Sequence, residues 1–580
     1  MNQKISSLLH DIYGQAVGAE TVRRLDLLLD EEGWVTPPPS GDVAAGLPLH
    51  ERDMFVITYG DSLTRSGTAP LACLKEFADG LPDGTVSGLH LLPFFPYSSD
   101  DGFSVIDYYR VNPALGTWED VNALRDRFTL MSDLVLNHCS VQSEWFARFL
   151  ARDPGYRDFF ITADPHDDLS GVFRPRTHPL LTRFDSPEGP LHVWTTFSAD
   201  QADLNFANPA VLLAMIKVLF FHVRMGVRVV RLDAIAYLWK ERGHSCLHHP
   251  KTHAVVKLLR ALLDAYAPGT VLLTETNVPH KENISYFGDG TNEAHMVYNF
   301  SLPPLVLDAF LRGDAGHLRA WAARLPQPDG RTTFFNFLAS HDGIGLLPAQ
   351  GILSPKEADG LAAAASARGG RVNCKATPDG PVPYELNITY VDAITGTAGT
   401  PEERAQRFLA SQAVMLSLPG VPGIYIGSLI GSTNWEEGVR LTGANRSINR
   451  PKLPLDQVMA EIGTPGTFRH LVFDGYLRML TVRGRSRAFD PAGGMEVLPA
   501  EGSVFAVMRH APRGKGQERV LCVINSGNDN ADFFLPRGLF AAGEERRLVD
   551  LVDGNEIGLE GKGDWLVLRL RPLAVHWLAC

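Results

Sequence analysis

Three carboxylates, two histidines and an arginine stand at the ends of apolar runs, where charged side chains are normally kept out of the way. The stretch "LMSDLVLNH" ends on Asn137 and His138, with a further carboxylate, Asp133, inside it, and "VVRLDA" supplies Arg231 and Asp233. "TVLLTET" reaches Glu275, and "TTFFNFLASHD" delivers His341 and Asp342. A single aspartate in such a place can cap the following helix. Three carboxylates, each ending an apolar run, point instead to one shared polar site. Two carboxyl groups flanking a glycosidic bond can cleave it: one attacks the anomeric carbon, and the other, kept protonated, donates to the leaving oxygen. A third would repel both, shift their proton affinities and stabilise a cationic transition state. Arg231 beside Asp233 would hold that carboxylate ionised. The competing reading is a metal site made from His138, His341 and the carboxylates, but no HxxxH or HxH spacing supports it. Cys139 could be read as a nucleophile beside His138; the six cysteines are scattered with no CxxC pair, and a small buried side chain is the expected role.

Side chains from distant positions meet at one rim only if the runs that carry them are parallel. Eight strand-like runs follow one another: "MFVITYG", "SGLHLLPFFP", "LMSDLVLNH", "GVRVVRLDA", "TVLLTET", "HMVYNF", "TTFFNFLASHD" and "GVPGIYIG". Most are separated by helical segments such as "TWEDVNALRDRF", "PAVLLAMIKVLFFHVRMG" and "THAVVKLLRALLDAYAPG". Continuous apolar runs alternating with amphipathic helices predict an α/β fold, a closed (β/α)8 TIM barrel over residues 51–490, whose sites lie at strand C-terminal ends. The alternative, an open doubly wound sheet, lacks a GxGxxG loop after its first strand. Two long intervals interrupt the repeat as insertions after the third and seventh strands, 140–205 and 345–405. Residues 491–580 carry short alternating strands and predict an antiparallel C-terminal β domain; residues 1–50 read as a helical extension ended by "TPPPSGD".

The chain of 580 residues is 45% hydrophobic with a net charge of −12, which argues against a nucleic-acid surface. The start "MNQKISSLLHDIYGQAVGAE" lacks the basic-then-apolar pattern of a secretory signal, and no apolar run reaches the ~18 residues of a membrane span. A cytoplasmic location is the expectation.

At its strand ends the sequence resembles the α-amylase superfamily, whose four signature regions read here in order as "DLVLNH", "VVRLDA", "TET" and "ASHD". The resemblance implies Asp233 as nucleophile, Glu275 as acid/base and Asp342 as transition-state stabiliser, with His138, Arg231 and His341 binding the glucosyl unit. Within the superfamily, "HLLPFFPYSSDDGFSVIDY", "FRPRTHPL", "RLDAIAYLWKERGHSC", "SHDGIGLLP" and "NRSINR" resemble the sucrose phosphorylase group. That likeness implies that Asp100 and Arg446 close the far side of the glucose pocket and that Tyr237 lines the acceptor side. It also implies that Arg176 in "RPR" and Tyr384 in "VPYELN" serve phosphate. The chain departs from sucrose phosphorylases in "TNVPHKENISYFGDG", in Glu385 where they carry a glutamine on the acceptor loop, and in its N-terminal extension. These features, with "NEAHMVYNFSLPPLVL" and "NFLASHDGIG", resemble the glucosylglycerate phosphorylases of the same group.

The implied reaction is reversible phosphorolysis of 2-O-α-D-glucosyl-D-glycerate to α-D-glucose 1-phosphate and D-glycerate, with phosphate as co-substrate and no cofactor or metal. The partners expected are the glucoside and phosphate, and a homodimer is the one assembly considered. An acceptor carboxylate calls for a cation, for which Arg176, Lys240 and Lys281 are the candidates. The alternatives are phosphorolysis of sucrose, sucrose 6′-phosphate or glucosylglycerol, or a hydrolase or transglucosidase of the same superfamily. A non-catalytic barrel, as in amino-acid-transporter heavy chains, is a third; those lose the carboxylates that this chain keeps.

Overall fold

All eight apolar runs form strands of one closed parallel barrel in a computed structural model of the chain, which describes residues 2–35, 47–176, 178–377, 380–537 and 547–580. The barrel strands are β1 (Phe55–Thr58), β2 (Gly88–Leu91), β3 (Thr129–Val135), β4 (Val227–Asp233), β5 (Val271–Thr274), β6 (Met296–Tyr298), β7 (Thr333–Asn336) and β8 (Val421–Tyr425). They neighbour one another in chain order, and β8 closes against β1 with Phe55 opposite Gly423. The register admits large rings because small residues face them. A Cβ on Gly88 would come 2.3 Å from the Phe55 ring, and one on Gly423 equally close to Phe335.

Helices cover the barrel outside. Pro209–Arg224 begins with proline in its first turn, and the Asn208 side chain accepts from the Ala210 N–H; both devices satisfy a helix start that lacks intrahelical partners. The N-terminal extension forms α1 (Gln3–Tyr13) and α2 (Gln15–Glu31). Ile5, Leu9 and Ile12, on one face of α1, are fully buried, and α1 packs on the helix Pro250–Tyr266. Tyr13 donates to the Phe206 carbonyl at 2.9 Å, and Glu32 pairs with Lys217 at 2.8 Å and Arg224 at 3.1 Å. The "TPPPSGD" break at 36–42 lies outside the described residues.

The interval 140–205 carries a hairpin, Leu181–Ser186 with Gly189–Trp194, and a two-stranded ladder of His138–Ser140 with Gln201–Asp203. The interval 345–405 carries the helix Pro355–Ala367 and a long hairpin, Arg371–Thr377 with Gly380–Asn387. Toward the C-terminus, Gly494–Val497, Val504–His510, Arg519–Asn525 and Val575–Ala579 form a four-stranded antiparallel sheet. No helix among the described residues is long and apolar enough to cross a membrane.

Candidate active site

Side chains two apart on a strand share a face, so the end of β4 turns Arg231 and Asp233 to the same side. The Arg231 guanidinium bonds Asp133 on β3 and reaches Asp233 Oδ1 at 2.8 Å, while Asp133 also pairs with His90 Nε2 on β2 at 2.8 Å. Burial works to raise the Asp133 carboxyl, but Arg231 and His90 hold it down at about 2. Directly after Asp233 the chain turns through Ala234 in a left-handed conformation, φ +51°. That conformation is costly for a residue with a Cβ and tends to be kept where a site needs it. Here the turn aims the Ala234 N–H at Glu275 Oε2, 3.0 Å away, which ties the ends of β4 and β5 together. Burial raises both carboxyl groups; at Asp233 the nearby Glu275 adds to the rise and Arg231 opposes it.

Across the cavity Asp342 meets Arg446 at 2.6 Å, and Arg446 meets Glu385 at 2.6 Å. Burial would raise both carboxyls, but Arg446 keeps both below their usual range, with His341 and Arg450 assisting at Asp342 and Arg176 at Glu385. Arg450 contacts Asp101 at 2.7 Å and donates to the His341 carbonyl at 2.7 Å. Asp100 and Asp101 both have positive φ, +52° and +47°. Their loop is braced by Asp200, which accepts from the hydroxyls of Ser98, Ser99 and Ser104. The His341 ring stacks on Phe103 at 4.7 Å, and His138 Nε2 lies 3.0 Å from the Phe103 carbonyl. Burial lowers both histidines, which keeps them neutral near pH 7.

These groups enclose a cavity of about 180 Å³ whose mouth is made by the two insertions: Phe173, Arg174, Arg176 and Phe197 from the first, and Lys375, Tyr384 and Glu385 from the second. Arg176 Nη1 donates to the Tyr384 hydroxyl at 3.3 Å, joining the two. Neighbours on a strand normally point to opposite faces, yet Tyr384 and Glu385 both line the cavity. A β-bulge explains it: Asn373 faces Glu385 while Cys374 faces Pro383, so Tyr384 is an extra residue in its strand.

The expected catalytic, glucose-binding and phosphate-loop residues all line this cavity except Arg231, which lies beneath it and touches Asp233 from behind. Glu385 is on the wall, bonded to Arg446 and to Asn373 at 2.8 Å. Of the three candidate cations for the acceptor, Arg176 is on the wall and the two lysines are not. Lys240 follows the short 3₁₀ turn Ile235–Tyr237, is buried against Asp203 at 2.8 Å and Asn137, and is not on the wall. Lys281 is exposed on the helix His280–Ile284. Residues the sequence did not single out are Phe103, Arg174, Gln201, Asn277 and Lys375 on the wall, and Arg450 behind Asp342. Phe103, Arg174, Asn277 and Arg450 fall inside the quoted "DDGFSVIDY", "FRPRTHPL", "TNVPHKENISYFGDG" and "NRSINR"; Gln201 and Lys375 carry no spacing that would have found them. Cys139 is a buried thiol hydrogen-bonded to Ser143, and burial pushes it up to about 12. No group of three or more His, Cys, Asp or Glu among the described residues could hold a metal ion.

A parallel barrel with paired carboxylates at the ends of β4 and β5 is an arrangement suited to glycosidic chemistry. The Alpha-amylase family model, described as the alpha amylase catalytic domain, matches residues 78–319. The sequence is 55% identical to the glucosylglycerate phosphorylase of Spirochaeta thermophila over 96% of this chain and 94% of that one. It is 42% identical to the glucosylglycerate phosphorylase of Escherichia coli over the full length of both. The chain belongs to the glucosylglycerate phosphorylase family of α-amylase-type proteins. Among solved structures, the sucrose 6F-phosphate phosphorylase from Thermoanaerobacter thermosaccharolyticum superposes with a TM-score of 0.71 at 26% identity, covering 82% of this chain and 94% of that one.

Proposed function

We propose that the chain catalyses reversible phosphorolysis of 2-O-α-D-glucosyl-D-glycerate, yielding α-D-glucose 1-phosphate and D-glycerate with retained configuration. The observation that carries the reading is one cavity lined by Asp233, Glu275 and basic residues from both insertions, in a chain 55% identical to a glucosylglycerate phosphorylase over 96% of its length. In the first displacement an Asp233 oxygen attacks C1 of the glucosyl unit while the Glu275 carboxyl protonates the departing glyceryl oxygen. The C1–O bond breaks, D-glycerate leaves and a glucosyl ester on Asp233 remains. In the second, a phosphate oxygen attacks C1, Glu275 recovers a proton, and Asp233 departs as carboxylate. Two inversions restore the α configuration.

Burial raises both carboxyls, so the pair enters the first step with one proton to place. The direct Arg231 contact at 2.8 Å is made by Asp233 alone, which favours the charge there and the proton on Glu275. Asp342, kept ionised by Arg446, offers negative charge to the oxocarbenium-like transition state. His138 and His341, with Asp100 and Arg446, would hold the glucose hydroxyls, and Tyr237 the acceptor side. Phosphate must enter a wall rich in carboxylates, and the Arg176 fork with the Tyr384 hydroxyl is suited to receive it. Glu385 is ionised and cannot attract phosphate, which leaves it to accept from a sugar or acceptor hydroxyl. Every proton and bonding pair comes from these carboxyls and the substrates, so the reaction requires no cofactor. A cytoplasmic setting suits a reaction that consumes phosphate and makes a sugar phosphate.

A donor screen tests the reading. With inorganic phosphate, glucosylglycerate should release α-D-glucose 1-phosphate far faster than sucrose, sucrose 6′-phosphate or glucosylglycerol. Preferential release from any of the other three would overturn the acceptor assignment.

A further inference from the structure

An anionic acceptor is expelled from a cavity walled by Asp233, Glu275, Asp342 and Glu385 unless a cation there is free to receive it. Four cations line the wall: Arg174, Arg176, Lys375 and Arg446. Arg446 is already neutralised by Asp342 and Glu385, each at 2.6 Å. Arg176, beside the Tyr384 hydroxyl, is the fork assigned above to phosphate, and Arg174 donates to the His178 carbonyl. Lys375 differs from them. Its ammonium lies 4.7 Å from the centre of the Phe173 ring and forms no ion pair among the described residues. A ring face steadies a cation without neutralising it, and the ammonium keeps three N–H donors for a ligand.

The position fits as well as the charge. Phe173 lies 6.2 Å from Tyr237, which follows Asp233 by one short turn, so Lys375 hangs over the acceptor side of the cavity. Lys375 comes from the second insertion and Phe173 from the first. The contact therefore spans the mouth through which an acceptor must pass.

We infer that Lys375 is the specificity-determining residue that binds the acceptor's carboxylate and so selects an acidic acceptor over a neutral polyol. The inference rests on the proposed glycerate-dependent reaction. It is tested in the synthetic direction, from α-D-glucose 1-phosphate and D-glycerate, with the variants Lys375→Met and Lys375→Arg. Lys375→Met should raise the KM for D-glycerate about tenfold and leave the KM for α-D-glucose 1-phosphate within about twofold. Lys375→Arg should restore most of the lost affinity, since it returns the charge. An unchanged D-glycerate KM in Lys375→Met overturns the inference, and so does an equal rise in both KM values, which would assign the lysine to phosphate or to the fold. A wild-type enzyme that ignores D-glycerate while glucosylating another acceptor sinks the proposed reaction itself, and this inference with it.

Discussion

Asp233 and Glu275 are distinguished by what each touches: a guanidinium at 2.8 Å for the first, a backbone N–H at 3.0 Å for the second. Activity needs Asp233 charged and Glu275 protonated in the first displacement. It therefore falls on the acid side as Asp233 gains a proton and on the basic side as Glu275 loses one. Burial raises both groups, so both limbs of the kcat/KM profile should lie above the region near pH ~4 where ordinary carboxyls titrate. Glu275→Gln should remove the basic limb along with most of the activity. A profile centred near pH ~4, or a basic limb surviving in Glu275→Gln, would contradict the assignment. Much at this scale was legible in the sequence, because a charged residue ending an apolar β-branched run has few bland explanations when the pattern repeats. Lys240 is close to Asp233 in sequence, but the intervening turn folds it down onto Asp203.

At the scale of elements, β2, β3 and β4 are locked by His90, Asp133 and Arg231, all fully buried. Removing one partner leaves a buried charge uncompensated, so Asp133→Asn should destabilise the fold by about 3–5 kcal/mol in denaturant unfolding. A loss below about 1 kcal/mol would show that the network is not what orders these strands. The folded Asp133 carboxyl sits at about 2 against an ordinary 3.8, so its contribution is complete above about pH 4 and is lost as the pH falls toward about 2. The insertions act differently. Arg176 meets Tyr384 from the other insertion, and Arg176→Ala should raise the KM for phosphate roughly tenfold with a smaller change in kcat; an unchanged phosphate dependence would reject its role. Barrel strands announce themselves by composition, but the parts of the insertions that reach the cavity do not. Tyr384 and Glu385 share a face only because of a bulge, and Lys375 matters only because the other insertion brings Phe173 beneath it. Both are facts of tertiary packing that no local pattern encodes.

The whole molecule puts the extension, the barrel and part of the C-terminal sheet on one continuous apolar core. Leu9 on α1 belongs to that core although it lies outside the barrel sequence, so Leu9→Ala should cost about 2–5 kcal/mol in stability. Turnover per folded molecule should be unaffected, because no α1 residue lines the cavity; a changed donor preference in that variant would mean that the extension shapes the site. The central claim is that this cavity hands a glucosyl unit to phosphate rather than to water, and it is tested most directly by the product ratio from 2-O-α-D-glucosyl-D-glycerate. With inorganic phosphate present, α-D-glucose 1-phosphate should greatly exceed free glucose, and omitting phosphate should nearly stop D-glycerate release. Free glucose formed at the same rate with and without phosphate would contradict the account.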